Sequence, residues 1–232
     1  MMGKEPKKKI GLLGGTFDPV HEGHLGMARD LVRIVGLDRV IFIPACQSPH
    51  KQNQSSADPA HRLNMLKIAL TGRPEFQISE IELERGDISY TCDTLSHFRK
   101  QFPGDDLYLI MGADTFKDFS TWKQYQTLLR EAHLLVATRP GHIHNLSRQI
   151  LRPLLDPLSL TYELQKETPG LQVYLCRETG KTLTFCEIQP RDISSREIRE
   201  KLRGGNTAKN MLPPDVEEYI ITHRLYPVNP QP

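Results

Sequence analysis

Short apolar runs alternate along the chain with segments in which apolar residues recur at helical spacing. The runs are rich in β-branched and aliphatic residues, and they predict buried strands at 10–13, 39–43, 106–111 and 134–137. Residues 76–83 also look extended, and helical spacing falls at 25–35, 60–70 and 93–102. Such alternation is typical of a parallel sheet with helices on both faces. We therefore predict an α/β fold, a Rossmann-like doubly wound parallel sheet with flanking helices.

The pattern weakens between about residues 142 and 189, where prolines and Gly170 interrupt it. We interpret this part as a variable excursion with candidate short strands at 173–175 and 183–185, on either side of a turn at 178–181. The chain has no internal repeat and no low-complexity tract. We expect a single domain over residues 1–232.

A small helical part is predicted at the C-terminal end, over about 194–223. Ser194 and Glu197 have the spacing of a capping box, and Ile193 and Ile198 that of the hydrophobic staple around it. The helix that begins there is expected to run to about Arg203 and to end at the glycine pair that follows. A last helix is predicted over 214–223.

Composition and charge narrow the class of protein. Hydrophobic residues make up 38% and charged residues 25% of the 232, which is ordinary for a globular protein. Lys and Arg total 30 against 28 Asp and Glu, so the formal net charge of +2 argues against a general nucleic-acid binder. No run approaches the roughly 20 apolar residues of a membrane span. The four cysteines lack metal-site spacing. We expect a cytoplasmic protein with reduced thiols that binds neither membranes nor nucleic acid.

The stretch from Gly14 to Leu25 joins the first predicted strand to the first predicted helix. Its glycine pair lets the backbone approach a ligand closely. A helix that opens near residues 22–24 would point N–H groups and the positive end of its dipole at the same place, which is a phosphate-binding arrangement. His21 and His24 are three apart, so both can face that place.

Other anion-binding features follow strands or open helices elsewhere in the chain. They are Arg139 after the strand at 134–137, the pair His50 and Lys51 in a polar loop, and the capped helix start at Ser194 with Arg196 and Arg199 three apart on it. So many donors at one place suit a polyphosphate. Nucleotidyl transfer needs mainly alignment and donors for the developing charge. We predict a direct displacement in which His24 contacts the α-phosphate. Arg199 and Lys51 would hold the leaving pyrophosphate, together with Mg²⁺ carried on the phosphates.

A set of sequence blocks resembles one family over nearly the whole chain apart from about 142–189. The stretch GGTFDPVHEGHL at 14–25 is similar to the signature of the nucleotidylyltransferase superfamily, in the form found in bacterial nicotinate-nucleotide adenylyltransferases. The remaining blocks agree in order: PHK at 49–51, GDISYTCDTL at 86–95, GAD at 112–114 with Trp122, RPG at 139–141, ISSREIR at 193–199, and the ending at 212–226. The block SYTCDTL and the tryptophan favour the nicotinate nucleotide branch.

The resemblance implies adenylyl transfer from ATP to nicotinate mononucleotide, which gives deamido-NAD and pyrophosphate. The residues that it implies for ATP are Gly14, Gly15, Thr16, Phe17, His21, His24, Asp114, Arg139, Ser194, Ser195 and Arg199. Those for the nicotinate nucleotide are Thr16, Lys51, Tyr90, Thr91 and Trp122, with Trp122 stacked on the electron-poor pyridine ring. Catalysis would rest on His24, His21, Arg199 and Lys51. A homo-oligomer is left open.

Several of these residues also have a purely structural interpretation. Asp114 could cap the helix that follows it, Trp122 could be core packing, and Asp18 is better interpreted as shaping its turn than as taking part in chemistry. The two histidines do not have the spacing of the His-Glu-x-x-His zinc helix, so we predict no metal site in the protein. Arg196 stands where the family often has Thr, and we assign it no role.

Other functions compete with the nicotinate assignment. A superfamily relative would use nicotinamide mononucleotide or pantetheine phosphate as acceptor. An aminoacyl-tRNA synthetase relative would share the His-x-Gly-His element, but its Lys-Met-Ser-Lys-Ser-like loop is not in this sequence. A nucleotide-sensing module would bind without catalysis. A Rossmann dehydrogenase is disfavoured because no G-x-G-x-x-G follows the first strand.

Overall fold

A computed structural model describes residues 6–47, 57–143 and 160–227 of the chain. Within these ranges the strands are β1 (Lys9–Gly15), β2 (Arg39–Pro44), β3 (Phe76–Ile78), β4 (Asp106–Gly112), β5 (His133–Thr138), β6 (Tyr162–Thr168), β7 (Leu171–Cys176) and β8 (Thr182–Glu187). The helices are α1 (Glu22–Leu31), α2 (Pro59–Leu70), α3 (Ile81–Arg85), α4 (Thr91–Gln101), α5 (Ala113–Lys117), α6 (Tyr125–Glu131), α7 (Ser195–Arg203) and α8 (Pro214–Thr222). A π-helical turn, Val32–Gly36, continues α1, and a 3₁₀ turn lies at Phe119–Thr121.

The strands form one mostly parallel sheet in the order β3-β2-β1-β4-β5-β8-β7-β6. The six strands from β3 to β8 in that order run parallel, and β7 and β6 continue the sheet antiparallel. The chain moves outward from β1 to β3 and then returns to the other side of β1 as β4. Ligands of such sheets bind beyond the carboxyl ends of the strands where this reversal occurs, here between β1 and β4.

Helices cover both faces of the sheet, as the alternating pattern predicted. One face packs its buried strand residues against α4, α5 and α6, whose core side chains include Leu95, Phe98, Phe116, Leu128 and Leu129. The other face packs against α1, α2, α7 and α8, whose core side chains include Leu25, Ala28, Leu31, Met65, Leu66, Ile198, Leu202, Val216 and Ile220. All four of the predicted buried strands are present, and the predicted fold class is confirmed.

The region from 160 to 189 contributes more regular structure than its sequence pattern indicated. The two candidate strands exist as the longer β7 and β8, and β8 pairs parallel with β5 from Leu134 to Thr138. The sequence pattern did not predict β6, which packs at the edge of the sheet with most of its residues exposed. Because β6 has no apolar face to bury, it lacks the alternation that identifies a strand. The residues 144–159 of the predicted excursion lie outside the described residues.

The structure differs from the prediction for residues 76–83 and agrees with the prediction for residues 193–205. The extended interpretation is wrong beyond Ile78, because α3 forms from Ile81 and ends at Gly86, whose φ of 72° suits glycine. At α7 the Ser194 hydroxyl accepts a hydrogen bond from the Glu197 N–H at 3.2 Å, which confirms the predicted cap. The single domain over residues 1–232 stays a prediction.

Candidate active site

The glycine turn after β1 and the start of α7 meet directly. The Ser195 hydroxyl donates to the Pro19 carbonyl at 3.0 Å, and Arg199 Nη1 donates to the Asp18 carbonyl at 2.6 Å. The helix α1 begins at Glu22, with His21 at its N-cap position. The N-termini of α1 and α7, which are far apart in sequence, therefore lie on the same turn. Each directs the positive end of its helix dipole towards the turn.

The glycines of the turn differ in what surrounds them. A Cβ on Gly14 would meet no atom within 4 Å, so the backbone there faces open space. A Cβ on Gly15 would come within 3.1 Å of the Phe17 ring. Phe17 is buried and packs edge-on against His24 at 5.1 Å between ring centroids. The Phe17 side chain therefore packs against His24, while Gly14 is exposed and Gly15 and Thr16 are partly exposed.

His21 and His24 stack with ring centroids 3.7 Å apart. The backbone N–H of His21 donates to His24 Nδ1 at 3.3 Å, so a neutral His24 carries its ring proton on Nε2. His21 is 5% exposed, and this burial lowers its pKa to about 4. His21 is therefore neutral at physiological pH. Because His21 is neutral, the two stacked rings are not a pair of cations.

Asp18 and Arg199 form a buried ion pair within the turn. Asp18 Oδ2 lies 3.4 Å from Arg199 Nη1, and Asp18 Oδ1 accepts hydrogen bonds from the Tyr226 hydroxyl at 2.7 Å and the Ala57 N–H at 3.0 Å. Burial, and then the charge of Asp18, raises the pKa of Tyr226. Asp18 thus shapes the turn, in agreement with its structural interpretation. The Arg199 guanidinium is held at the predicted phosphate site by Asp18.

Arg62 is a second buried cation at the turn, which the sequence patterns did not single out. Its side chain is 1% exposed and donates to three carbonyls, those of Thr16 at 2.7 Å, Ala57 at 3.2 Å and Cys46 at 3.3 Å. Burial lowers its pKa, and Asp18 opposes that shift. Arg62 occupies an apolar-face position of α2, in step with Met65 and Leu66, and a buried cation requires partners. A charged residue on this apolar helix face is the sequence feature that could have pointed to a buried role for Arg62.

The start of α4 faces the same edge of the sheet and contains the predicted nicotinate block. Tyr90 is its N-cap residue and Thr91 its first helical residue, so their backbone groups belong to a helix N-terminus. Behind them lies Glu82, which is 6% exposed and accepts a hydrogen bond from the Thr94 hydroxyl at 2.6 Å. Ser89 also hydrogen-bonds to Glu82, whose pKa is raised by burial. No sequence pattern pointed to Glu82, because an acidic residue in a short helix is ordinarily exposed.

Trp122 lies on the segment that contacts the start of α4. It is half-buried and packs against Phe119 at 5.3 Å between ring centroids. Its neighbour Lys123 lies 4.2 Å from the centroid of the Tyr90 ring and pairs with Asp93 at 3.4 Å. Trp122 therefore combines packing with a partly exposed surface beside the predicted nicotinate pocket.

Asp114 and Arg139 lie at the carboxyl ends of β4 and β5 with their side chains exposed. Asp114 pairs with Lys117 at 2.8 Å, and this hydrogen bond holds its pKa below the usual value. The helix α5 is capped by Gly112 rather than by Asp114, so the capping interpretation of Asp114 is wrong. Arg139 pairs with Asp192 at 3.1 Å, which links the end of β5 to the segment before Ser194.

Two of the predicted site residues, His50 and Lys51, lie outside the described residues. Arg196, to which no role was assigned, is exposed on α7. Within residues 6–47, 57–143 and 160–227, no group of three or more His, Cys, Asp or Glu side chains could hold a metal ion. In the same ranges no helix is both long and apolar enough to cross a membrane.

Comparison with known sequences identifies relatives that span nearly the whole chain. The sequence profile of the cytidylyltransferase-like family matches residues 12–201. A protein of Pelobacter propionicus named "Probable nicotinate-nucleotide adenylyltransferase" is 39% identical over 219 residues, which cover 94% of this chain and 98% of that protein. A protein of the same name from Citrifermentans bemidjiense is 35% identical over 218 residues, with coverages of 94% and 98%.

Solved structures with the same fold include nicotinic acid mononucleotide adenylyltransferase of Plasmodium falciparum. Its complex with NaAD superposes with a TM-score of 0.70 at 20% identity, covering 97% of this chain and 100% of that one. Its complex with APC gives a TM-score of 0.67 at the same identity and coverage. At this level of identity the likeness supports the fold alone.

Proposed function

Because the chain belongs to the nicotinate-nucleotide adenylyltransferase family of cytidylyltransferase-like proteins, we propose that its active site transfers the adenylyl group of ATP to nicotinate mononucleotide. The products are deamido-NAD and pyrophosphate, a step of NAD biosynthesis. The contact of α7 with the glycine turn supports this most strongly, because it brings two helix N-termini and Arg199 together, which is an arrangement that suits an anion. A cytoplasmic location belongs to the same proposal.

The reaction is a direct in-line displacement. A phosphate oxygen of nicotinate mononucleotide attacks the α-phosphorus of ATP. The new P–O bond forms as the bond to the β-phosphate oxygen breaks, and pyrophosphate leaves with the electron pair. The attacking phosphate is already ionised near neutral pH, so no general base is needed. The protein contributes alignment and charge stabilisation.

His24 is the residue that we propose to stabilise the charge that develops on the α-phosphate. Its Nδ1 accepts the His21 N–H, so Nε2 is the donor that reaches a phosphate oxygen. The stacked His21 and the edge of Phe17 fix the ring plane of His24. A donor fixed in advance costs no reorganisation as the reaction proceeds.

Other residues of the site hold the rest of the triphosphate in this proposal. Gly14, Gly15 and Ser194 supply backbone and hydroxyl donors. Arg199 faces the leaving pyrophosphate, and Lys51 is proposed to bind it as well.

Mg²⁺ fits this site as a cation carried by the triphosphate. Asp18, the buried acidic residue of the turn, already engages Tyr226, Ala57 and Arg199, so its carboxylate is not free to bind a metal ion. When bound, the ion would neutralise charge on the β- and γ-phosphates of ATP and on the leaving pyrophosphate. The protein residues would hold the phosphates rather than the metal.

The start of α4 gives the acceptor its specificity in this proposal. Backbone N–H groups at Tyr90 and Thr91 are hydrogen-bond donors at the positive end of a helix dipole, so they favour a carboxylate over an amide. Trp122 stacks on the electron-poor pyridine ring. Asp114 and Arg139 face the adenosine end of ATP, where Asp114 holds the ribose.

The experiment compares acceptors under matched conditions. Pyrophosphate release from ATP is measured with nicotinate mononucleotide, nicotinamide mononucleotide and pantetheine phosphate in turn, and release is expected to be fastest with the first. Equal rates with the acid and the amide would contradict the acceptor assignment. Binding of ATP in calorimetry without release from any acceptor would favour the nucleotide-sensing module instead.

A further inference from the structure

Gly26 is an unexpected residue for the middle of α1. Glycine in a helix interior costs roughly 0.5–1 kcal/mol relative to alanine. Gly26 is nevertheless buried, and a methyl group built on its Cα would overlap the guanidinium of Arg191. The position therefore lacks a side chain because Arg191 occupies the space that one would fill.

Asp30 completes this contact one turn further along α1. Residues four apart share a helix face, so the Arg191 guanidinium that crosses Gly26 also reaches Asp30. Arg191 Nη1 lies 2.9 Å from Asp30 Oδ2, and the two side chains are only 18% and 8% exposed. Asp30 Oδ2 also accepts the Gln189 N–H at 3.2 Å. Moving Arg191 away from Asp30 would leave an uncompensated buried charge, so the pair resists displacement.

The segment that this pair holds leads directly into α7. Arg191 lies three residues before Ser194, the N-cap of α7, and Ser195 then contacts the Pro19 carbonyl. The helix α1 is thus tied to the α7 segment at two places, near its own N-terminus and about two turns along. The Arg191 contact, about two turns from the contacts that Ser195 and Arg199 make with the glycine turn, adds a second constraint on the distance and the angle between the helix N-termini.

We propose that Gly26, Asp30 and Arg191 form a positioning clamp that sets the spacing of the α1 and α7 N-termini for the triphosphate of ATP. The inference rests on the proposed function, because it assigns ATP to those two helix ends. The three residues touch no substrate. They act through His24 and Ser194, whose separation they maintain.

The clamp predicts that the effect of Gly26→Ala depends on whether Arg191 is present. Gly26→Ala in the native chain displaces Arg191 and is expected to raise the KM for ATP about five- to tenfold, with the KM for nicotinate mononucleotide within about twofold of the native value. Arg191→Ala is expected to raise the KM for ATP similarly. In the Arg191→Ala background, Gly26→Ala meets no guanidinium and is expected to cause no further loss and a small gain in melting temperature.

Two further variants keep the test interpretable. Arg191→Lys retains a cation for Asp30 with less bulk over Gly26. Added to the Gly26→Ala chain, it is expected to restore most of the ATP affinity that Gly26→Ala removes. If Gly26→Ala does not fold, Arg191→Lys and Arg191→Ala are compared directly, and the lysine variant should be the milder in KM for ATP. Arg29→Ala removes an arginine of α1 that is 51% exposed and serves as the matched control.

Equal losses from Gly26→Ala in the native chain and in the Arg191→Ala chain would overturn the clamp, as would equal changes in the KM of both substrates. The ATP dissociation constant of each variant is also measured by calorimetry. A native chain that binds ATP but releases no pyrophosphate would refute the proposed function, while the same set of ATP affinities would still decide whether the clamp exists.

Discussion

The two predicted substrate pockets are held together by different kinds of interaction. Around the glycine turn, the contacts involve full charges that are almost entirely buried, with Asp18 facing Arg199 and Arg62 donating to three carbonyls. Around the start of α4, the buried acid Glu82 is held by neutral hydroxyls, and its pKa is raised by burial. The aromatic residues Tyr90 and Trp122 are partly exposed there.

This difference follows from the ligand that each pocket is proposed to hold. A triphosphate brings several negative charges, and the donors around it must stay fixed against strong forces. A single nicotinate carboxylate needs fewer donors and an aromatic face. Losses on the phosphate side should therefore affect folding and catalysis together. Losses on the nicotinate side should affect mainly the affinity for one substrate.

Arg62→Met is expected to give the largest effect. It leaves the carbonyls of Thr16, Ala57 and Cys46 without their buried donor, so the free energy of unfolding should fall by roughly 3–5 kcal/mol. Urea unfolding followed by circular dichroism measures this change. Lys67→Met, on the same helix at a position that is 51% exposed, is the control. Equal stability of the two variants would show that the buried charges do not hold the phosphate side.

His24→Ala is expected to lower turnover about a hundred- to a thousandfold, as does the loss of one preorganised donor to a developing charge. Steady-state pyrophosphate release gives the number, and ATP binding by calorimetry should change much less. His97→Ala replaces an exposed histidine of α4 and should leave turnover unchanged. A loss that lay entirely in ATP affinity would assign His24 to ground-state binding alone.

The buried histidines predict how stability depends on pH. Burial holds the pKa of His21 at about 4, below its usual 6.5, so the unfolded chain binds more protons between these values. The stabilisation is complete above about pH 6.5 and is lost as the pH falls towards 4, with roughly 3 kcal/mol at stake for this residue.

His133, the first residue of β5, offers a matched comparison away from the glycine turn. Its pKa is also lowered to about 4, chiefly by burial, and it stacks on Tyr108 at 4.6 Å. His21→Gln and His133→Gln should each reduce the loss of stability between pH 6.5 and 4, measured by urea unfolding at several pH values. Only His21→Gln should also reduce turnover. An unchanged pH dependence in both variants would contradict the buried neutral state.

Thr94→Val tests the nicotinate side and should give the smallest effect. Without the hydroxyl, Glu82 loses a hydrogen bond and the start of α4 is less firmly held, so the KM for nicotinate mononucleotide should rise about fivefold while that for ATP stays the same. Thr94→Ser keeps the hydroxyl and should retain the native KM. If valine and serine behaved alike, Glu82 would have no part in positioning this pocket.

Patterns with a local cause were predicted correctly. The buried parallel strands, the cap at Ser194 and the helix after the glycine turn each depend on residues close together in sequence. The edge strand β6 and the helix α3 were missed because neither has the periodicity of a buried element. For the site, the residues that the sequence blocks assign to the ligands stay a prediction. Arg62 was signalled only by its position on the apolar face of α2, and Glu82 by no pattern at all, because each depends on buried partners distant in sequence.

What the sequence determined by itself was the fold class that brings strand ends to one edge, and it also predicts the donors that surround that edge. The order of the blocks also identified the family, because each block is a local signature. The tertiary structure alone decided that Asp18 faces Arg199, that Arg62 reaches Thr16 and that Arg191 lies over Gly26 on its way to Asp30. The sequence separation is 181 positions for Asp18 and Arg199, 46 for Thr16 and Arg62, and 161 for Asp30 and Arg191. Such pairings depend on how the helices pack on the sheet, because a buried charge finds its partner wherever the fold places one rather than through any local preference.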